Sequence, residues 1–266
     1  MSRTLPYSPA LSGVAATVMG FILLPVVFIV LYAFNETAYL SLPPHAPTWH
    51  WFENFFAIAR FRHALASSLL VAIVVTPVAL LVAVPAAIAL VRYDFPGRAA
   101  MNLLVMSPLV IPGVVVGISF LSLSAWVGTG LGLWPIMTAL ACVAFPFALR
   151  AVTANLHGLD PSLEDAARNL GASRFRAFLW VTLPQLKPGL LAGGIFVFVE
   201  AIDNFSIAVF LTDSRTTTLP VEAFSYIRDY DDPTVAAMAV LLMAFSAVLV
   251  LAVDRLVGLD RLLDLR

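Results

Sequence analysis

The chain has 266 residues, 61% of them hydrophobic and only 12% charged, with a formal net charge of −1 and a mean hydropathy of +0.95. A soluble domain carries about 25% charged residues, so this composition excludes a surface that faces water throughout. The apolar residues fall in runs of roughly 20, long enough to cross a hydrocarbon core of about 30 Å, and lack the short alternation of barrel strands. The chain reads as an all-α integral membrane protein.

Six spans are predicted, near residues 11–34, 64–91, 99–124, 133–152, 189–211 and 235–257, forming a single transmembrane domain over 1–266. The first run is longer than the apolar stretch of a signal peptide and no small-x-small cleavage site follows, so it reads as an anchor. Tyr39, Trp49, Trp51, Phe55 and Phe56 then cluster before the second span, as interfacial anchors do. Pro25, Pro77, Pro85, Pro108, Pro112 and Pro146 lie within spans, and each removes a backbone donor. Pro108-Leu109-Val110-Ile111-Pro112-Gly113 is the densest case; it is either a bent packing helix or a hinge lining a passage. Cys142, the one cysteine, has an apolar setting that predicts core packing. Gly189, Ala192, Gly193 and Gly194 open the fifth span with small residues that permit close helix approach. Asp232-Pro233 is placed to cap the sixth.

Basic residues set the orientation. Arg3, Arg92, Arg98, Arg150, Arg168, Arg174, Arg176, Lys187, Arg255, Arg261 and Arg266 fall on one side of this map, and only Arg60, Arg62, Arg215 and Arg228 on the other. The positive-inside bias puts both termini and the loop at about 154–188 in the cytoplasm.

That loop is the longest polar interlude. Asp160 suits an N-cap and Pro161 the first helical position; Glu164 and Asp165 complement the dipole in the first turns. Ala166 and Ala167 favour helix with minimal side chains, and Gly171 can take the left-handed conformation that ends it. A second helical segment begins near Ser173 and runs to Pro184. A short, self-capped helix outside the bilayer either seats in another protein's groove or lies on lipid headgroups, and both readings stay open on these grounds.

Chemistry within the chain finds no support. No Gly-x-x-x-x-Gly-Lys-Ser/Thr phosphate loop occurs, and the only lysine is Lys187, preceded by Leu186. His45, His50, His63 and His157 lack metal-ligand spacing. Ser107, Ser119, Ser122 and Ser124 are expected to bond their own helix or a neighbour. No catalytic set, metal site, resident cofactor or nucleic-acid partner is predicted.

Two acids are misplaced for lipid. Glu200 lies roughly 17 Å into the fifth span, counting about 1.5 Å per residue from Gly189. Glu200, Asp203 and Asn204 share one face of a continuous helix by their spacing, predicting a polar stripe toward the bundle interior. Either protonation or a partner's arginine neutralises these acids, or they line the route of a cationic solute, with Phe205 contacting its chain or its ammonium groups.

Asp165-Ala166-Ala167, three residues, Gly171, nine residues, Val181-x-Leu183-Pro184 resembles the EAA loop of bacterial ABC importer permeases, whose pattern reads Glu-Ala-Ala, three residues, Gly, nine residues, Ile-x-Leu-Pro. Asp165 replaces glutamate, Val181 replaces isoleucine, and Glu164 lies one residue early. Arg92 to Arg98, Ser107 to Pro112, Asp203-Asn204 and Thr218 to Val221 are similar to segments of the spermidine/putrescine permease group.

The resemblance implies a type I ABC importer permease fold of six transmembrane helices in the bacterial inner membrane. Its coupling helix would carry Glu164, Asp165, Ala166, Ala167 and Gly171, with Leu183 and Pro184 following. It implies a second homologous permease, a dimer of ATP-binding subunits that hold ATP and Mg and do the hydrolysis, and a periplasmic solute-binding protein. The substrate implied is a small amino compound such as a polyamine; aminoethylphosphonate and opines are alternatives. Where relatives often have a second acid, this chain has Asn204, and Glu200 is additional. The competing class is a self-contained secondary transporter or cation channel using Glu200 and Asp203, for which two internal repeats would be expected.

Overall fold

The structure, a computed structural model, describes residues 9–38, 47–213 and 215–257. Arg3, Tyr39, His45, Arg261 and Arg266, which entered the sequence reading, lie outside them. The described residues are almost entirely helical, with a single isolated bridge between Asn35 and Pro47. Among the described residues four helices are long and apolar enough to cross a membrane, or up to six if each of two bent helix pairs counts as one span.

Helix α1 (Pro9–Ala33) is apolar on all sides. Helix α3 (Ala59–Arg92) starts five residues before the predicted span and ends on Arg92, a cation where the helix dipole favours one. Helix α6 (Leu133–His157) and helix α13 (Thr234–Val257) occupy the fourth and sixth predicted places. The carboxylate of Asp232 accepts from the Thr234 N–H at 2.8 Å, capping α13 as its sequence indicated.

The third and fifth predicted spans are not continuous helices. Helix α4 (Arg98–Met106) passes through a 3-10 turn at Ser107–Leu109 and meets α5 (Gly113–Val127) at 98°. The cause is Pro112, which has no N–H, keeps an extended ψ of 133° and disfavours helix at Ile111 before it. Helix α10 (Lys187–Asp203) ends at Asn204, whose ψ is 102°, and α11 (Phe205–Leu211) follows. Asn204 therefore ends the helix, but its φ of −77° keeps its side chain within reach of Glu200, whose Oε1 accepts from the Asn204 amide at 2.7 Å. The Asn204 side-chain oxygen accepts from the Ile207 N–H at 3.0 Å, an N-cap that competes with continued helix.

The chain divides into two compact units. In the larger, which holds described residues 60–213, 215–224 and 246–257, the core runs along α3, α6 and α10 through Val71, Val75, Ala83, Leu140, Ala148 and Val197. Small residues let α10 approach α6 closely: a Cβ at Gly189 would lie 2.7 Å from the Asn155 Cβ, and one at Gly193 3.2 Å from the Ala148 Cα. The Asn155 side-chain oxygen also accepts from the Gly189 N–H at 3.2 Å. Gly189→Ala is expected to cost about 1–3 kcal/mol by overpacking this contact, read as a lower unfolding midpoint of the detergent-extracted protein. Helix α5 meets α11 just as closely, since a Cβ at Gly117 would lie 2.7 Å from the Phe210 ring. The two broken spans thus pack on one another. Helix α12 (Leu219–Asp229) begins where the buried Ser68 hydroxyl of α3 accepts from the Leu219 N–H at 2.8 Å, and Arg60 pairs with Glu222 at 3.1 Å.

In the smaller unit, residues up to Ala59 with Ser225–Phe245, helix α2 (His50–Ala57) packs Phe52 with Ala33 and Ala237. Trp49 meets Phe34 edge-on at 5.0 Å, and the Trp51 indole donates to the Asn35 carbonyl at 2.7 Å. An aromatic cluster with one wet edge is what an interfacial anchor requires.

Cys142 departs from its predicted place in the core: it is exposed, lining an apolar hollow of about 300 Å³ with Val78, Leu104 and Pro108. A thiol is apolar enough to face lipid, so periodicity alone did not fix its side. Ser107, Ser119 and Ser122 each donate to a carbonyl three or four residues earlier in the chain.

Candidate functional site

The polar loop folds as expected into a short helix with its own ends closed. Helix α7 spans Ser162–Asn169, one residue later than predicted, although Pro161 already has helical angles. Asp160 Oδ1 accepts from the Ser162 N–H at 2.9 Å, and this bond holds the Asp160 carboxyl below its usual range. At the other end Gly171 has φ of +93°. The Gly171 N–H donates to the Arg168 carbonyl at 3.0 Å, and the Ala172 N–H to the Ala167 carbonyl at 3.1 Å. This pair of bonds is a Schellman stop, which needs a left-handed residue and so favours glycine.

The sides of α7 differ. Asp165 and Ala166 are exposed, Leu170 is 90% exposed, and Asp165, Arg168, Asn169, Ala172, Ser173 and Arg174 rim an open polar hollow of about 690 Å³. Glu164 and Ala167, three residues apart, turn toward the rest of the chain. The Glu164 side chain is 19% exposed, against 69% for Asp165. Its Oε2 accepts from Arg92 at the end of α3 and, at 2.8 Å, from the Thr182 hydroxyl. Burial pushes the Glu164 carboxyl up. The hydrogen bonds from Arg92 and Thr182, with the charges of Arg92 and Arg168, outweigh it and leave the group below the usual glutamate range.

With the folded value depressed, the stabilisation is present above the ordinary glutamate range and disappears as the pH falls through the lowered value. The protection of amides over residues 162–170, their exchange divided by its intrinsic rate at each pH, is therefore expected to stay constant from neutral pH into the ordinary glutamate range and to fall only below it.

After α7, Ser173 caps α8 (Arg174–Ala177) by accepting from the Arg176 N–H at 3.3 Å. A π-helical turn at Phe178–Thr182 and the short α9 (Leu183–Gln185) lead to α10, which bends 67° from this segment. The π turn carries the buried Thr182; Leu183 is half-buried and Pro184 exposed.

The second candidate region is the break between α10 and α11. Glu200 is half-buried, and its Oε1 accepts from the Asn204 side-chain amide at 2.7 Å. Asp203 is exposed on this chain. Phe205 is half-buried and its ring centroid lies 5.0 Å from that of Phe224 on α12. The break therefore gathers one carboxylate satisfied by an amide, one carboxylate left open and two aromatic rings. Among the described residues no group of three His, Cys, Asp or Glu is placed to hold a metal ion.

The sequence marks Arg92 as an orientation charge and as the start of a segment similar to the permease group, but gives it no link to Glu164, and it singles out neither Thr182 nor Asn155. Arg92 is 72 residues from Glu164, beyond any local pattern. The signal available for Thr182 was a polar residue inside Val181-Thr182-Leu183-Pro184.

Residues 76–259 match the family described as binding-protein-dependent transport system inner membrane component. This chain belongs to that family. Among curated relatives, the permease is 28% identical over 233 residues to the spermidine/putrescine transport system permease protein PotC of Haemophilus influenzae, covering 88% of this chain and 90% of that one. It is 31% identical over 231 residues to the putrescine transport system permease protein PotI of Escherichia coli, covering 84% and 82%. Its fold matches a chain in the crystal structure of a bacterial ABC transporter involved in the import of the acidic polysaccharide alginate, with a TM-score of 0.70 at 15% identity and 94% of each chain covered. The six-span ABC permease architecture predicted from the sequence thus agrees with the fold, and the chain is a transport component of an inner membrane.

Proposed function

We propose that this permease moves a small cationic amino compound, of the polyamine class, into the cytoplasm as one half of an ABC importer. The observation that carries the coupling reading is α7: a helix closed at both ends, exposed at Asp165, Ala166 and Leu170, and held from behind by Glu164. An isolated eight-residue polar helix is too short to persist on propensity alone, so its rigid presentation is in keeping with a docking element. Asp165, Ala166 and Gly171 form the surface gripped by an ATP-binding subunit, which holds ATP and Mg, with Ala167 and Glu164 behind it; Leu183 and Pro184 carry the movement into α10. A second homologous permease completes the pathway, a periplasmic solute-binding protein delivers the substrate, and both termini are cytoplasmic.

The substrate reading rests on Glu200, Asp203, Asn204 and Phe205 at the helix break, and on the similarity to the polyamine permeases PotC and PotI. An open carboxylate beside aromatic rings attracts a protonated amine by charge and contacts its alkyl chain. Glu200, held by Asn204, orients the site more than it neutralises the solute.

The test is co-expression with the neighbouring transport genes, purification and reconstitution. An ATP-binding subunit is expected to co-purify, and liposomes loaded with ATP are expected to accumulate putrescine only when binding protein is supplied outside. A helix broken beside acids is also how secondary carriers build ion sites. Uptake by this polypeptide alone, driven by an ion gradient, would replace the ABC reading by that one.

A further inference from the structure

The Glu164 carboxylate joins three elements that are separate in sequence. Arg92 is the last residue of α3, Glu164 sits in the first turn of α7, and Thr182 ends the π turn that feeds α9 and α10. Each charge stands where its own helix dipole favours it, a cation at a C-terminus and an anion near an N-terminus, so the pair bridges two helix ends of opposite polarity. Thr182 is 2% exposed, and the hydrogen bond of its buried hydroxyl goes to Glu164.

We propose that Arg92, Glu164 and Thr182 form a clamp that makes α7, the end of α3 and the lead into α10 a single mechanical body. The proposal rests on the docking role of α7 given above and assigns Glu164 a positioning role behind the docking surface. The covalent joints of α7 are poor transmitters. It is tied on one side through the turn at Gly158-Leu159-Asp160 and on the other through left-handed Gly171. A push on a helix held by two turns is absorbed by rotation about them. The clamp removes that freedom, because movement of α7 must then carry Arg92 and Thr182 with it. The π turn contributes directly, since its wider winding belongs to the segment that presents Thr182 to Glu164. Asp165, on the outer face, is left to meet the partner.

The experiment uses the complete reconstituted importer and measures solute imported per ATP hydrolysed, a ratio that a loss of protein or of folding does not by itself change. Glu164→Gln, Arg92→Gln and Thr182→Val are compared with wild type. Each is expected to lower the ratio, the first two by about fivefold to tenfold, with the ATP-binding subunit still co-purifying. The exchange Arg92→Glu with Glu164→Arg is expected to recover part of the loss. Thr182→Val, which exchanges the hydroxyl for a methyl group, serves where the charge variants fail to fold. An unchanged ratio in Glu164→Gln and Thr182→Val overturns the clamp. So does loss of the ATP-binding subunit in Glu164→Gln but not in Arg92→Gln, since Glu164 would then touch the partner directly. Absence of an ATP-binding subunit from the wild-type complex is a different failure and removes the docking reading itself.

Discussion

Asp203→Asn is expected to reduce putrescine uptake by about 10- to 100-fold while leaving the assembled complex intact. The size follows from the chemistry of one lost charge-assisted contact, about 1.5–3 kcal/mol, with each 1.4 kcal/mol worth a factor of ten. Assembly is expected to survive because Asp203 is exposed and makes no hydrogen bond or ion pair among the described residues, so asparagine leaves no partner there unpaired. Glu200→Gln differs in kind. Its partner is the Asn204 amide, which caps α11, and glutamine can still accept from that amide. A smaller loss, about threefold to tenfold, is expected there, through the orientation of the break and not through lost charge. Transport assays at fixed binding-protein concentration separate the two: Asp203→Asn lowers uptake of diamines more than that of a monoamine, whereas Glu200→Gln affects both alike. Wild-type uptake in Asp203→Asn would remove the acid from the pathway.

The spans were legible because roughly 20 apolar residues in a row have few other uses. Breaks within spans were not legible to the same degree, because hydropathy is an average and Asn204 barely alters it. Its local chemistry was nevertheless visible: an Asp-Asn pair before Phe-Ser-Ile is an N-cap signature inside an apolar run. Pro108 and Pro112 marked the other break, yet proline alone could not distinguish a bend from the 98° turn that the backbone takes. At the loop, Gly171 was readable as a stop, since a left-handed position favours glycine on its own account. The inward turn of Glu164 was not, because Arg92 approaches through tertiary packing alone.

Gly171→Val is the second large effect expected, with import falling about 10- to 100-fold, within the span of measured coupling energies. A β-branched residue at φ near +93° is strained by roughly 1–2 kcal/mol or more, and the chain escapes by giving up the Schellman bonds from Gly171 and Ala172. α7 then frays at the end that carries Leu170, and the surface offered to a partner loses its shape although every side chain on it is unchanged. Gly171→Asn discriminates shape from composition, because asparagine tolerates the left-handed region and is expected to retain much of the import. Gly128, at φ of +81° after α5, supplies the control for strain alone. Gly128→Val is expected to lower the unfolding midpoint by a similar amount and to leave solute moved per ATP unchanged. Equal import ratios for Gly171→Val and Gly128→Val would mean that the stop at Gly171 serves stability and takes no part in transmitting the stroke.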